Sequence, residues 1–226
     1  IAKLDFDAKV DIHAMMSSEG EKIKFIRSIS TSETKGAVEK WLIQVEDIML
    51  KSVREVIEKA YVAYPNEDRS EWVTNWPGQV VLCVSQIYWT SEVQEALLTG
   101  VKGLSYVDYI TIEFDCLLFF LFFREYFTKL EAQLGDIVEL VRGKLNKQTR
   151  ITLEALVVID VHAKDTVKDL VNKQVQSEND FNWLAQLRYY WEDANCRVRI
   201  TNASVKYCYE YLGNTPRYII LNDMII

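Results

Sequence analysis

Glycine and proline are scarce in this 226-residue sequence. Eight glycines and three prolines are too few for a sheet protein with many turns, so long helices are favoured. No apolar run approaches the roughly 20 residues that a helix needs to cross a bilayer. The apolar run at residues 117–123 ends at Arg124. Apolar residues still make up 49% of the chain, which is enough to bury a core.

An excess of positive charge is also missing. The formal net charge is −7, and a nucleic-acid-binding chain needs Lys and Arg to displace the counterions of phosphates. We therefore expect neither nucleic acid nor a membrane as partner. The cysteines are few and widely spaced, which favours free thiols in a reducing cytoplasm over disulfides or a zinc site. They are Cys83, Cys116, Cys196 and Cys208.

Residues for nucleotide or metal chemistry are not evident. No G-x-x-x-x-G-K-[ST] motif occurs, so the sequence offers no phosphate-binding P-loop. The histidines are His13 and His162, far apart in sequence. Asp160, His162 and Asp165 could be drawn as a metal or acid–base cluster, but on a helix Asp160 and His162 point to different faces. We expect no catalytic, cofactor-binding or metal-binding residue in this chain.

Apolar residues recur at helical spacing along most of the sequence. Thr128 and Glu131 have capping-box spacing at one expected helix start, and Asp180 is placed to cap another. The expected helix over 149–175 is either continuous or broken around His162. The periodicity predicts helices over residues 38–61, 80–98, 128–145, 149–175 and 180–191.

The pattern changes after Asn195, where apolar residues alternate with polar ones. This alternation predicts a short antiparallel strand pair within residues 197–211. The fold class is therefore mainly α, with a short β-hairpin near the C-terminus. Trp41, Trp183 and Leu184 fall on apolar helix faces and are expected core residues. For Trp72 and Trp76, which stand in a polar link, the choice between core anchor and binding platform stays open.

Several stretches resemble dynein heavy chains. Residues 36–50, 75–90 and 136–153 resemble the linker of that family. Residues 180–191, followed by 202–204 and 209–214, resemble the start of its first AAA module, just before the P-loop. These stretches are more similar in sequence to axonemal than to cytoplasmic heavy chains.

The resemblance implies a helical bundle of the dynein linker type and a division of the chain. Residues 1–176 would be the C-terminal part of the linker, and 177–217 the start of the first AAA module. The family is an ATP-driven, minus-end-directed microtubule motor of cilia and flagella. Its partners would be the rest of the motor ring, other dynein subunits and microtubules. ATP and Mg would belong to the parent protein, and the location would be the cytoplasm, cytoskeleton and axoneme.

Two segments depart from the resemblance. Residues 105–124 and 218–226 have no counterpart in the family pattern, and we expect them to be a foreign insertion and a foreign tail translated from retained introns. The chain opens with Ile1 rather than Met, so we also expect a trimmed or incomplete gene product. The alternative interpretation is a stand-alone helical protein-interaction module.

Overall fold

The computed structural model describes residues 1–8, 10–32, 37–106, 112–175 and 177–213, with the side chains of 99–125 left out. About 58% of the chain is helical, and two small antiparallel sheets complete the fold. The mainly α class is thereby confirmed, although helix content is below the two-thirds that the periodicity predicts. The bundle of the linker type stays a prediction.

A three-stranded antiparallel sheet opens the chain and was not predicted. Its order is β1 (Lys3–Phe6), β2 (Ile12–Met16) and β3 (Lys22–Ile29). One face of β3 is buried through Ile23 and Phe25, the alternation expected when one side of a sheet meets a core. The same alternation is legible in the sequence, so this sheet could have been predicted.

The first helix, α1 (Val38–Ala63), confirms the predicted helix over 38–61. Its buried Ser52 accepts a 3.1 Å hydrogen bond from the Ile26 amide and donates one of 2.6 Å to the Ile48 carbonyl, which fixes α1 on β3. Trp41 is half-buried rather than a core residue, because it lies one turn from the helix start. The apolar stripe buries Val45, Ile48, Met49, Val53, Ile57 and Ala60.

The link after α1 is ordered by Trp72. A 3-10 turn (Tyr64–Asn66) leads to α2 (Arg69–Asn75), whose start is capped by the Asp68 side chain. Trp72 is fully buried, donates to the Ala60 carbonyl at 3.1 Å and meets Tyr64 edge-on at 4.8 Å. Of the two roles left open for Trp72, the structure shows the core one, because the short α2 turns it back onto α1.

Three long helices follow: α3 (Gly78–Tyr106), α4 (Ile112–Arg142) and α5 (Lys147–Asn172). The predicted helix over 80–98 is confirmed within α3. The start expected at Thr128 was wrong, because Thr128 lies inside α4. Of the two forms left open for the helix over 149–175, the continuous one is found, since α5 runs unbroken through His162. Residues 112–124 of the suspected insertion are helical, whereas 107–111 and 218–226 lie outside the described residues. The foreign origin of both segments stays a prediction.

The predicted helix over 180–191 was largely wrong. Asp180 does cap a helix, by accepting from the Asn182 amide at 2.7 Å, but α6 (Phe181–Leu184) is a single turn. A second three-stranded sheet then begins with β4 (Arg188–Glu192), where the aromatic run favours a strand. Leu184 is half-buried, whereas Trp183 is fully buried as predicted.

This second sheet extends the predicted strand pair by one strand. It has the order β4 (Arg188–Glu192), β5 (Asn195–Ile200) and β6 (Ala203–Lys206). Asp193 and Ala194 join β4 to β5 with φ of 50° and 54°, as a two-residue hairpin turn requires. The strand pair predicted within 197–211 is confirmed as β5 and β6.

The chain forms two compact units. Of the described residues, those within 1–84, 144–155 and 207–213 form one unit, and those within 85–143 and 156–206 form the other. The core of the second unit surrounds Trp89 and Trp183, whose rings lie 5.6 Å apart. Among the described residues, no helix is long and apolar enough to cross a membrane. Among the described cysteines, Cys83, Cys196 and Cys208 are not joined by disulfides.

Candidate functional site

A tight turn between β2 and β3 places a carboxylate inside the first unit. Ser17 and Glu21 close this turn through the Ser17 amide and Glu21 carbonyl at 2.9 Å, and Gly20 within it has φ of +89°. The Glu21 amide donates in turn to the Ser17 hydroxyl at 3.1 Å. Both side chains are buried, so the Glu21 carboxylate must find its partners within the protein.

Glu21 finds those partners on two distant segments. Its Oε1 accepts from the Gly78 amide at 2.7 Å, and its Oε2 accepts from the Tyr211 hydroxyl at 2.8 Å. Gly78 is the first residue of α3, so Glu21 satisfies an amide that has no partner inside the helix and lies near the positive end of the helix dipole. Glu21 therefore caps a helix that begins 57 residues later in the chain.

Burial decides the protonation of this pair. Desolvation raises the pKa of Glu21 above its ordinary value, although the hydrogen bonds from Gly78 and Tyr211 act in the opposite direction. Burial, and then the nearby Glu21 charge, also raise the pKa of Tyr211, which keeps its hydroxyl proton. Tyr211 is thus a donor at every physiological pH.

Gln79, the next residue of α3, forms hydrogen bonds with the backbone of the segment that contains Tyr211. Its Nε2 donates to the Glu210 carbonyl at 2.8 Å, and its Oε1 accepts from the Leu212 amide at 2.9 Å. The Nε2 group also donates to the Tyr207 hydroxyl at 3.0 Å. One buried side-chain amide thereby supplies hydrogen bonds that a neighbouring strand would otherwise give.

The end of this segment is fitted closely to the β2–β3 turn. Gly213 has φ of +75°, and a Cβ atom added there would lie 2.4 Å from the Cβ of Ser17. The N-terminal amino group of Ile1 also donates to the Tyr211 carbonyl at 3.4 Å. We call the set of Glu21, Gln79 and Tyr211 the latch, since it holds three sequence-distant stretches of the first unit together.

The residues weighed from sequence as a possible metal or acid–base cluster are ordinary helix residues. Asp160 is half-buried on α5, and His162 and Asp165 are exposed. Across the described part of the chain, no group of three or more His, Cys, Asp and Glu side chains could hold a metal ion.

The sequence analysis did not identify the latch residues as a site. Gln79 and Tyr211 each lie in a stretch that carries the dynein resemblance, but nothing in the sequence pairs the two stretches. Glu21 lies outside those stretches. A glutamate four residues before Phe25, directly after Gly20, was the available signal of a turn with a polar function.

Comparisons with known proteins agree with the resemblance. Residues 1–60 match the family described as dynein heavy chain, N-terminal region 2. The chain is 57% identical over 220 residues to "Dynein axonemal heavy chain 12" of Mus musculus, covering 97% of this chain and 6% of that protein. It is 47% identical to "Dynein axonemal heavy chain 3" of Mus musculus and 44% identical to "Dynein axonemal heavy chain 1" of Homo sapiens, each over 97% of this chain and 5% of the relative.

The chain belongs to the dynein heavy chain family, and its similarity is to axonemal members. It spans about one-twentieth of the length of these relatives. The expected family and the axonemal type are confirmed.

Proposed function

We propose that this stretch is a mechanical element of an ATP-driven, minus-end-directed microtubule motor of cilia and flagella. In this proposal, residues 1–176 are the C-terminal part of the linker and 177–217 begin the first AAA module. The stretch itself carries no catalytic residue. ATP and Mg act in the parent protein, and the partners are the rest of the motor ring, other dynein subunits and microtubules of the axoneme.

The latch is the observation that carries this proposal. Residues 209–213 belong to the stretch that, by resemblance, leads to the P-loop. Gln79 and Glu21 hold that stretch to the start of α3 and to the N-terminal sheet by hydrogen bonds of 2.7–2.9 Å. Hydrogen bonds made by buried groups break at a high cost, so a displacement of one segment is transmitted to the others.

The chemistry of the latch also favours a mechanical role over a catalytic one. The Glu21 carboxylate and the Tyr211 hydroxyl are bonded to each other inside the protein, with 9% and 1% of their surfaces exposed. A general acid or base must reach a substrate proton within hydrogen-bond distance. Both groups are already occupied by hydrogen bonds within the fold, so neither is placed to meet a substrate.

An assay of the isolated 226-residue chain tests the absence of chemistry. We expect no ATP turnover above the buffer blank and no co-sedimentation with microtubules. ATP hydrolysis needs a phosphate-binding loop, its lysine and a carboxylate that holds Mg²⁺, and an acidic chain is repelled by an acidic polymer surface. ATP turnover that a point substitution within the chain abolishes would contradict the proposal.

A further inference from the structure

The second sheet presents a strongly cationic face in an otherwise acidic chain. Strand register places Arg199 of β5 opposite Arg188 of β4, and Arg197 opposite Lys206 of β6. Because alternate residues of a strand share a face, all four lie on the same side of the sheet. Across β4, β5 and β6 this side has one carboxylate, Glu192, against four cations. We call these four residues, Arg188, Arg197, Arg199 and Lys206, the cationic face.

The single carboxylate does not neutralise this face. The Oε2 atom of Glu192 lies 2.7 Å from Nη2 of Arg199 and 3.9 Å from Nε of Arg197, so two arginines share one carboxylate. Arg188 is 5% exposed and bonds only neutral groups, among them the Tyr190 hydroxyl at 3.1 Å. Its Nε is buried without a partner in the part of the chain that the structure describes. Arg188 lies on β4, two strands from β6, so the cations closest to a segment added at β6 are Lys206 and its cross-strand partner Arg197.

The sheet also ends in an open strand beside this face. All four residues of β6 are exposed, and within the described residues β6 pairs with β5 alone. The opposite edge is partly covered, since the Tyr189 amide of β4 donates to the Thr90 hydroxyl at 3.0 Å. An unpaired edge offers free amides and carbonyls to an added strand.

We propose that β6 and the cationic face bind an extended acidic protein segment, which adds to the sheet as a fourth strand. Its alternate side chains would be carboxylates, repeating every two residues at about 6.7 Å, which matches the spacing of side chains along a strand on one face. The residues between them would be apolar, because Val205 on the other side of β6 is 60% exposed.

Charge and shape select this occupant over a phosphate ligand. The cations are spread along and across three strands, and a single phosphate cannot contact them together. A long nucleic acid would meet the net charge of −7 of the whole chain, whereas a short acidic strand contacts the cationic face alone. Opposite charges across an interface also set the register of the added strand.

The test is the fluorescence anisotropy of a labelled Glu-Val-Glu-Val-Glu peptide titrated with the 226-residue chain. The double variant Arg197→Gln/Lys206→Gln should bind the peptide about tenfold more weakly, with a shallower salt dependence. The matched control is Arg142→Gln/Lys168→Gln, which removes the same charge from exposed sites on α4 and α5. Circular dichroism establishes that both variants fold.

A second arm tests strand addition. Two versions of the peptide carry N-methyl groups on alternate amides, in opposite phase. The version that blocks the amides facing β6 should lose binding at least tenfold, and the other should retain it. The proposal is overturned by absence of binding, by equal losses in the two double variants, or by equal behaviour of the two methylated peptides. Displacement of the peptide by inorganic phosphate at constant ionic strength would also overturn it, in favour of a phosphate site.

Discussion

The Tyr211 hydroxyl donates a 2.8 Å hydrogen bond to the Glu21 carboxylate, and 190 residues of chain separate the two. Both side chains are buried, and the same carboxylate holds the first amide of α3. The stability of the first unit should therefore depend on three residues that no local sequence pattern connects.

The charge of Glu21 makes stability depend on pH. Because burial raises its folded-state pKa above the ordinary 4.5, the folded protein binds more protons than the unfolded one between these two pKa values. The contribution of Glu21 to the free energy of unfolding is therefore full below pH 4.5 and decreases as pH rises through the folded pKa.

The variant Glu21→Gln tests that dependence. The free energy of unfolding of the wild type, relative to Glu21→Gln, should decrease from pH 4.5 toward neutrality in urea titrations. Glu154→Gln changes an exposed carboxylate on α5 and should show no such trend. Parallel pH profiles for the wild type and Glu21→Gln would contradict the burial of a charge at this position.

Removal of the Gln79 amide should be costly. Gln79→Ala removes the partner of the Leu212 amide and of the Glu210 carbonyl, and because both bonds are part-buried, water replaces part of each. We expect a loss of roughly 1–3 kcal/mol in urea unfolding. Gln44→Ala is the matched control on the exposed side of α1 and should stay within about 0.5 kcal/mol of the wild type.

Glycine is required at position 213 but not at position 135. Gly213→Ala combines φ of +75° with a Cβ placed 2.4 Å from the Ser17 Cβ, so we expect a loss of roughly 1–3 kcal/mol. Gly135→Ala inside α4 meets nothing within 4 Å and should stabilise by about 0.5–1 kcal/mol. Adding Ser17→Gly should recover part of the loss at Gly213, and no recovery would exclude this contact as the cause.

The tryptophans should differ according to burial rather than according to the local sequence. Trp72→Ala removes a fully buried ring and should lower the free energy of unfolding by about 3–5 kcal/mol. Trp41→Ala removes a half-buried ring and should lower it by roughly 1–2 kcal/mol. Thermal unfolding of both variants, corrected for the wild-type heat capacity, measures the difference. A larger loss at Trp41 would reverse the two assignments.

Long periodic helices were predictable from the sequence, and short elements were not. The stripe of α1 repeats over seven turns and defines one face, so its ends were predicted to within about two residues. The stretch 180–191 has helical spacing for only three turns, and there hairpin geometry at Asp193 and Ala194 prevails over periodicity. The N-terminal sheet shows the alternation of a strand, and it was not predicted although the pattern was present.

The latch could not be predicted from the sequence, for a different reason. Gln79 follows a Pro-Gly pair and would be assigned to a helix start, and Tyr211 follows strands that alternate in the usual way. Gln79 bonds the backbone on either side of Tyr211, at Glu210 and at Leu212, and Leu212 lies 133 positions later in the chain. One sequence contains no information on such a pairing, because a hydrogen bond across that distance has no periodic signature.

The central claim is that the latch transmits movement in the parent motor. The most direct test measures microtubule gliding velocity and microtubule-stimulated ATP turnover of a complete axonemal heavy chain that carries this stretch, comparing Gln79→Ala with Gln44→Ala. If the latch transmits movement, Gln79→Ala lowers velocity at least twofold relative to ATP turnover, while Gln44→Ala leaves the ratio unchanged. An unchanged ratio in a folded Gln79→Ala motor would contradict it.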